Sequence, residues 1–198
     1  MRVVVIGATG KIGSAIVSAF KSAGDEVIGV SRSSTPAVNL EDTASLTAFF
    51  NGVGAIDAVV TAAGHVPFTH LTEATPEQFA TGFASKLGGQ IGALLAALPH
   101  LSDGGSFTLT TGILANHAIP GSVITAAVNN GLEGFVQRAA LDMPRGIRIN
   151  AVNPTIVLNP GETSDAFMGY HPVTPEEAAQ GYLRSAHGIE TGQVYRVW

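Results

Sequence analysis

The amino-terminal run MRVVVIGATGKIG constrains the fold more than any other part of the chain. Four consecutive β-branched residues, Val3 to Ile6, pass directly into a loop with glycines at positions 7, 10 and 13. Such an apolar run reads as a buried strand, and glycines placed after a strand and at the opening of a helix let the backbone approach a pyrophosphate closely. The helix start then offers unpaired N–H groups and a partial positive charge to the phosphates. Gly7, Thr9, Gly10, Lys11, Ile12 and Gly13 are therefore candidate dinucleotide contacts. An ordinary strand-to-helix turn is the alternative, and three correctly spaced glycines argue against it.

Short apolar runs alternate with segments of helical period along the rest of the chain, the pattern of consecutive βαβ units and a parallel sheet covered on both faces. The strand candidates are Val3 to Ile6, Val27 to Val30, Ala37 to Leu40, Ala58 to Thr61, Ser106 to Thr111, Arg148 to Val152 and Val194 to Val197. Helices are expected from Ile12 to Gly24, Asp42 to Phe50, Thr75 to about Leu98, Val123 to Leu141, and from Thr174 onward. Two of these open with clear capping chemistry, Thr75-Pro76 with Gln78 and Thr174-Pro175 with Glu177. The expected class is α/β: one doubly wound, Rossmann-like parallel sheet of about seven strands, flanked by helices on both faces, in a single domain over residues 1–198. Asn159 to His171, rich in Gly, Pro, Ser and Asn, is the long irregular stretch and a candidate substrate lid.

Composition excludes several classes. The 198 residues are 45% hydrophobic and 13% charged, with no cysteine and a net charge of -5. Disorder, a disulfide scaffold and cysteine-type zinc are incompatible with those values, and no His or carboxylate pair shows ligand spacing, so no metal site is expected. Ten Lys+Arg without a basic run leave no footprint for nucleic acid or an anionic membrane. The apolar start gives way to glycine too early for a signal peptide, and no stretch approaches the roughly 20 apolar residues of a membrane span. A cytoplasmic protein with a small-molecule substrate is expected. Low charge and a mean hydropathy of +0.30 suggest that outer helices bury surface in an oligomer.

The end of the second strand reads VIGVSRSSTP. An acidic residue there would bind a ribose 2′-hydroxyl, whereas an arginine accommodates a 2′-phosphate. Arg32 between Ser31 and Ser33 can form a charge-assisted fork on phosphate, so NADP(H) is preferred over NAD(H); a solvated surface arginine is the bland alternative. Asn39, beside Leu40, has an amide that can read the adenine edge or cap a turn.

GATGKIG, Ala62-Ala63-Gly64 ending the fourth strand candidate, LEGF at Leu132 to Phe135 and RGIRINAVNP at Arg145 to Pro154 together resemble the short-chain dehydrogenase/reductase family over nearly the full length. The glycine spacing is GxxGxxG where the family more often has TGxxxGxG. The resemblance implies a Rossmann domain, a nicotinamide dinucleotide at the carboxyl ends of the strands touching Ala62, Ala63, Gly64, Pro154, Thr155 and Ile156, and a Ser-Tyr-Lys centre assisted by an Asn. It also implies a homodimer or homotetramer through the helices at 76–98 and 123–141.

On that alignment the tyrosine falls on Thr125 and the lysine on Asn129, so YxxxK is replaced by TAAVN. An aliphatic hydroxyl and an amide cannot act as the phenol and ammonium do. The serine falls within Thr110-Thr111-Gly112, on Thr111, whose hydroxyl can donate to a carbonyl or serve simply as a β former. The family's Pro-Gly becomes Pro154-Thr155, and its nicotinamide-binding Thr falls near Asn159. The assisting Asn falls on Lys86. Lys86 and Gln90 share a side with the apolar stripe Phe79, Phe83, Leu87, Ile91, Leu94 and Leu98, so the ammonium either snorkels outward or faces a polar pocket, where desolvation would lower its pKa. His65, His117, Tyr170 and His171 are further proton-carrying candidates. The expected function is an NADP(H)-dependent oxidoreductase with a non-standard centre at Thr111, Lys86, Thr125 and Asn129; the alternative is an NADP(H)-binding protein without chemistry.

Overall fold

The computed structural model describes all 198 residues. Six parallel strands, β1 (Arg2–Ile6), β2 (Glu26–Val30), β3 (Ile56–Thr61), β4 (Leu101–Thr110), β5 (Arg148–Pro154) and β6 (Val194–Val197), form one sheet in the order β2-β1-β3-β4-β5-β6. Helices α1 (Lys11–Ser22) and α6 (Pro175–His187) cover one face, where Ile16, Phe20 and Tyr182 pack on Val3 and Val5. Helices α2 (Thr43–Val53), α4 (Gly89–Ala97) and α5 (Val123–Ala139) cover the other, where Leu46, Phe50, Leu94, Leu132 and Val136 pack on Val4 and Ile6. The two faces of β1 are thus both buried, which is why its sequence is uninterruptedly apolar.

The expected helix starts follow from local hydrogen bonding. Asp42 caps α2, and complete capping boxes open α6 at Thr174 and a seven-residue helix, α3 (Pro76–Gly82), at Thr75. No helix is long and apolar enough to cross a membrane.

Two expectations are corrected. Ala37 to Leu40 is not a strand, and the sheet has six strands rather than seven. Only six residues separate Val30 from Ala37, whereas a crossover to a parallel neighbour needs about a dozen or more. The segment folds back instead: Ser34 Oγ donates to Ser31 O at 2.9 Å, and Val38 N–H donates to the same oxygen at 2.9 Å. The second correction concerns the helix expected from Thr75 to Leu98. It is interrupted by a π-helical turn at Phe83–Gly88 before α4 resumes. Residues that keep an apolar stripe across such a turn conceal the inserted step, so periodicity does not reveal it.

Candidate active site

The strand order reverses between β1 and β3, and the crevice outside their carboxyl ends is where open α/β sheets bind ligands. A cavity of about 470 Å³ lies there, lined by Gly7, Thr9, Gly10, Ser31, Arg32, Ser33, Asn39, Leu40 and Ala62 to Gly64. The loop is drawn tight by Gly7 and Ala8, whose N–H groups both donate to Val30 O, at 2.8 and 3.1 Å. Gly7 has φ +91°, and a Cβ on Gly13 would sit 2.0 Å from Gly7 O. Gly13 therefore closes the turn rather than lining the cavity. Helix α1 starts at Gly10 with no side chain capping it and no acid in its first turn, so its N–H groups stay open to an anion. These features fit a dinucleotide pyrophosphate. Gly13→Ala is expected to reduce binding of a nicotinamide dinucleotide below detection in calorimetry, because its Cβ has only the loop backbone to displace.

Arg32 is exposed on the rim of this cavity, and Ser31 Oγ sits 3.1 Å from Ser33 Oγ beside it. Asn39 accepts Glu41 N–H through Oδ1 at 3.2 Å, the turn-capping alternative, while still lining the cavity. Ser85, missed by sequence reasoning, donates to Glu41 at 2.9 Å and accepts His65 N–H at 3.1 Å. This ties the π-helical turn to the cavity wall.

A second cavity of about 370 Å³ collects Lys86, Thr111, Thr125 and Asn129 with Lys11, Ile12, Pro154, Thr155, Ile156 and Phe167. Residues spread over more than 150 positions converge because β1, β4 and β5 end on the same side of the sheet. Lys86 comes from the π-helical turn, against which Gly64 (φ +116°) packs so closely that a Cβ would lie 2.8 Å from Lys86 Cα. Lys86 Nζ donates to Asn129 Oδ1 at 2.8 Å and to Thr111 O at 3.1 Å. Both acceptors are uncharged, and burial lowers the ammonium to about 8. Gln90, one turn on, is fully buried and clamps Thr110 with two hydrogen bonds, at 2.8 and 2.9 Å. The two polar residues on the apolar side of this segment thus meet strand ends rather than solvent.

Thr111 Oγ1 donates to Glu133 Oε1 at 3.2 Å, and Asn153 Nδ2 donates to the same oxygen at 2.6 Å. Glu133 and Asn153 escaped sequence reasoning, although a glutamate in the buried stripe Val128, Leu132, Val136 of α5 was a visible signal. On the Asn159 to His171 segment, Glu162 pairs with Lys11 at 2.5 Å, and this pairing with the Asn159 hydrogen bonds lowers its carboxyl to about 2. The segment also contributes Phe167 to the second cavity.

The family model described as enoyl-(acyl carrier protein) reductase matches residues 7–180. The chain belongs to the short-chain dehydrogenase/reductase family. Among solved structures of this fold, the protein lin1944 from Listeria innocua is 38% identical and superimposes with a TM-score of 0.96 over 100% of both chains. An uncharacterized oxidoreductase of Methylorubrum extorquens is 28% identical over 84% of this chain and 67% of its own length. A hydroxynaphthalene reductase of Aspergillus fumigatus is 28% identical over 75% of this chain. The chain spans only about half of that enzyme, 54% of its length.

Within this short-chain dehydrogenase/reductase, Gly10 lines the first cavity and the next residues, Lys11 and Ile12, line the second, with Lys11 paired to Glu162. The Lys11–Glu162 pair is solvated, so it contributes little to stability. Because the carboxyl is depressed, the pair persists above about pH 4.5 and is lost only as pH falls toward 2. Glu162→Gln and Lys11→Met are expected to change the dissociation rate of a reduced nicotinamide dinucleotide equally, and the double variant no further, in stopped-flow fluorescence between pH 5 and 8.

Proposed function

We propose that this chain is an NADP(H)-dependent oxidoreductase acting on a small carbonyl or hydroxyl compound, with Lys86 as its proton carrier. The observation that carries the reading is the Lys86 ammonium, held in the second cavity by two neutral oxygens. An ammonium has three N–H donors, and the two hydrogen bonds to Thr111 and Asn129 leave one for a substrate oxygen. A group near pH 8 exchanges protons readily at neutral pH, where general acids work best. A nicotinamide dinucleotide bound across the two cavities would supply the hydride. As charge develops on the carbonyl oxygen, Lys86 stabilises it and delivers the proton; in the oxidative direction it accepts the proton from the hydroxyl. Thr125, on the same wall, orients the substrate, and Thr111 acts by placing its carbonyl on Lys86 while its hydroxyl is engaged by Glu133.

The preference for NADP(H) rests on Arg32, exposed beside Ser31 and Ser33; the acidic residue in that wall, Glu41, is already engaged by Ser85. Assembly into a homodimer or homotetramer through the segments at 76–98 and 123–141 is supported by Phe83 and Leu95, 40% and 64% exposed on the first of them. The test is NADPH oxidation with a panel of aldehydes and ketones. Saturable turnover that Lys86→Met removes supports the proposal. Tight NADPH binding without turnover supports the second reading, a non-catalytic NADP(H)-binding protein, which the engagement of Thr111 by Glu133 favours. Undetectable NADPH binding sinks both.

A further inference from the structure

A third cavity, of about 360 Å³, opens beside the second and shares Ile113 and Thr155 with it. Its far wall is aromatic. The His117 ring stands edge-on to Trp198, 5.0 Å away at 83°, and to Tyr170, 5.7 Å away at 80°. Trp198 is fixed there by its Nε1–H, which donates to Asn153 O at 3.0 Å, while the Arg196 guanidinium lies 5.5 Å from its ring. No Asp or Glu side chain lines this space; its polar side chains are those of Thr155, His117, His171 and Tyr170, beside the Trp198 indole.

The seam between the two cavities carries the second observation. Thr155 is 4% exposed, and its Oγ1 has no hydrogen-bond partner in the protein. Buried hydroxyls are almost always satisfied, and those of Thr61, Thr110 and Ser185 in this chain are. Ser106 Oγ is the other exception, and it lines none of the three cavities. Thr155 lines both the second cavity and this aromatic one, and its unpartnered hydroxyl, closed to solvent, is unused hydrogen-bonding capacity at their seam. Aromatic walls prefer flat π-systems in offset or edge-to-face contact over saturated rings of the same volume.

We propose that the substrate is a planar aromatic or conjugated carbonyl compound, whose ring enters the compartment of His117, Tyr170 and Trp198 and whose oxygen or neighbouring polar substituent bonds Thr155. The inference deepens the oxidoreductase reading and names the substrate class of the same site.

Trp198 is the one tryptophan in the chain, so its fluorescence reports on this compartment directly. The probes are 1-tetralone, its saturated counterpart 1-decalone and its carbonyl-free counterpart tetralin, titrated by calorimetry and by Trp198 emission, with and without NADP⁺. The expected result is that 1-tetralone binds at least tenfold more tightly than 1-decalone and quenches Trp198. Tyr170→Leu and Trp198→Leu are expected to abolish that preference, with far-UV circular dichroism confirming the fold of each. Thr155→Val is expected to weaken 1-tetralone about tenfold and leave tetralin unchanged. Equal affinity for the two ketones, or 1-tetralone affinity unaffected by both leucine variants, overturns the aromatic compartment. A Thr155→Val variant that loses NADP⁺ affinity and keeps 1-tetralone affinity overturns the role given to Thr155. Selective 1-tetralone binding by a protein that binds no NADP⁺ supports the compartment while refuting the oxidoreductase reading, so the two fail separately.

Discussion

Replacing Lys86 by methionine is expected to lower the rate of carbonyl reduction by about 10²- to 10⁴-fold, the range typical of a lost general acid and equivalent to roughly 3 to 5 kcal/mol of barrier. The same substitution is expected to make the protein more stable. Desolvation holds the ammonium at about 8 in the fold, against 10.5 as its ordinary value, so the folded chain binds fewer protons between those limits. The cost of folding around a charged Lys86 is complete below pH 8 and disappears above 10.5; stability of the natural chain therefore rises with pH through that window. At pH 7 the methionine variant, of similar length and apolar, is expected to gain about 2 to 3 kcal/mol in urea unfolding, with the slope of that rise removed. Activity of the natural chain is expected to fall above about pH 8, as the proton to be donated is lost. Asn129→Asp, which sets a carboxylate 2.8 Å from Nζ in place of an amide oxygen, is expected to move that alkaline limb upward by at least one pH unit. A Lys86→Met variant that keeps full activity removes Lys86 from the chemistry, whatever its stability.

Arg32→Ala is expected to weaken NADPH binding by roughly 10- to 100-fold while leaving NADH nearly unchanged. Charge-assisted hydrogen bonds are worth about 1.5 to 3 kcal/mol, and each 1.4 kcal/mol is a factor of ten. The two coenzymes differ only in the 2′-phosphate, and Arg32 is the one lysine or arginine lining the first cavity, with Ser31 and Ser33 beside it. Arg32→Glu is expected to go further and reverse the preference, because a carboxylate repels the phosphate and accepts from a free 2′-hydroxyl. Calorimetry with both coenzymes decides. Parallel losses for NADPH and NADH would show that Arg32 holds the loop rather than the phosphate.

Much of the fold was legible because its causes are local. The capping boxes at Thr75 and Thr174 need only residues three apart, and β1 reads as a buried strand because both its faces are covered in any parallel sheet. The glycine loop was legible for the same reason, since it requires backbone freedom at Gly7 and room beside Gly13 that no other residue supplies. The expected third strand failed at Ala37 to Leu40, where a short apolar run carries no information about the length of chain a crossover needs. Once that strand is absent, β2 becomes the edge of the sheet, and Val38 and Leu40 are buried by the return of the loop instead.

The candidate site was legible as a set of residues and illegible as a geometry. Thr111, Thr125, Asn129 and Lys86 could be named in advance, and they share one cavity. Which atoms meet was decided elsewhere: by the π-helical turn that carries Lys86 and the positive φ of Gly64 against it. The engagement of Thr111 by Glu133, and of Asn153 by Asn116, Glu133 and Trp198, joins positions 20 to 45 residues apart. No spacing rule reaches across such separations.

The amino-acid sequence alone therefore determined the parallel α/β layers and the glycine loop, because each follows from interactions within a few residues or from a strand's need for apolar faces, and its motifs carried the family resemblance. Only the tertiary structure decided the number of strands, the environment that brings an ammonium close to neutral pH, and the aromatic compartment beyond Thr155. Those depend on which side chains the sheet places next to one another at the ends of strands distant in the chain, and on how much water the packing leaves there.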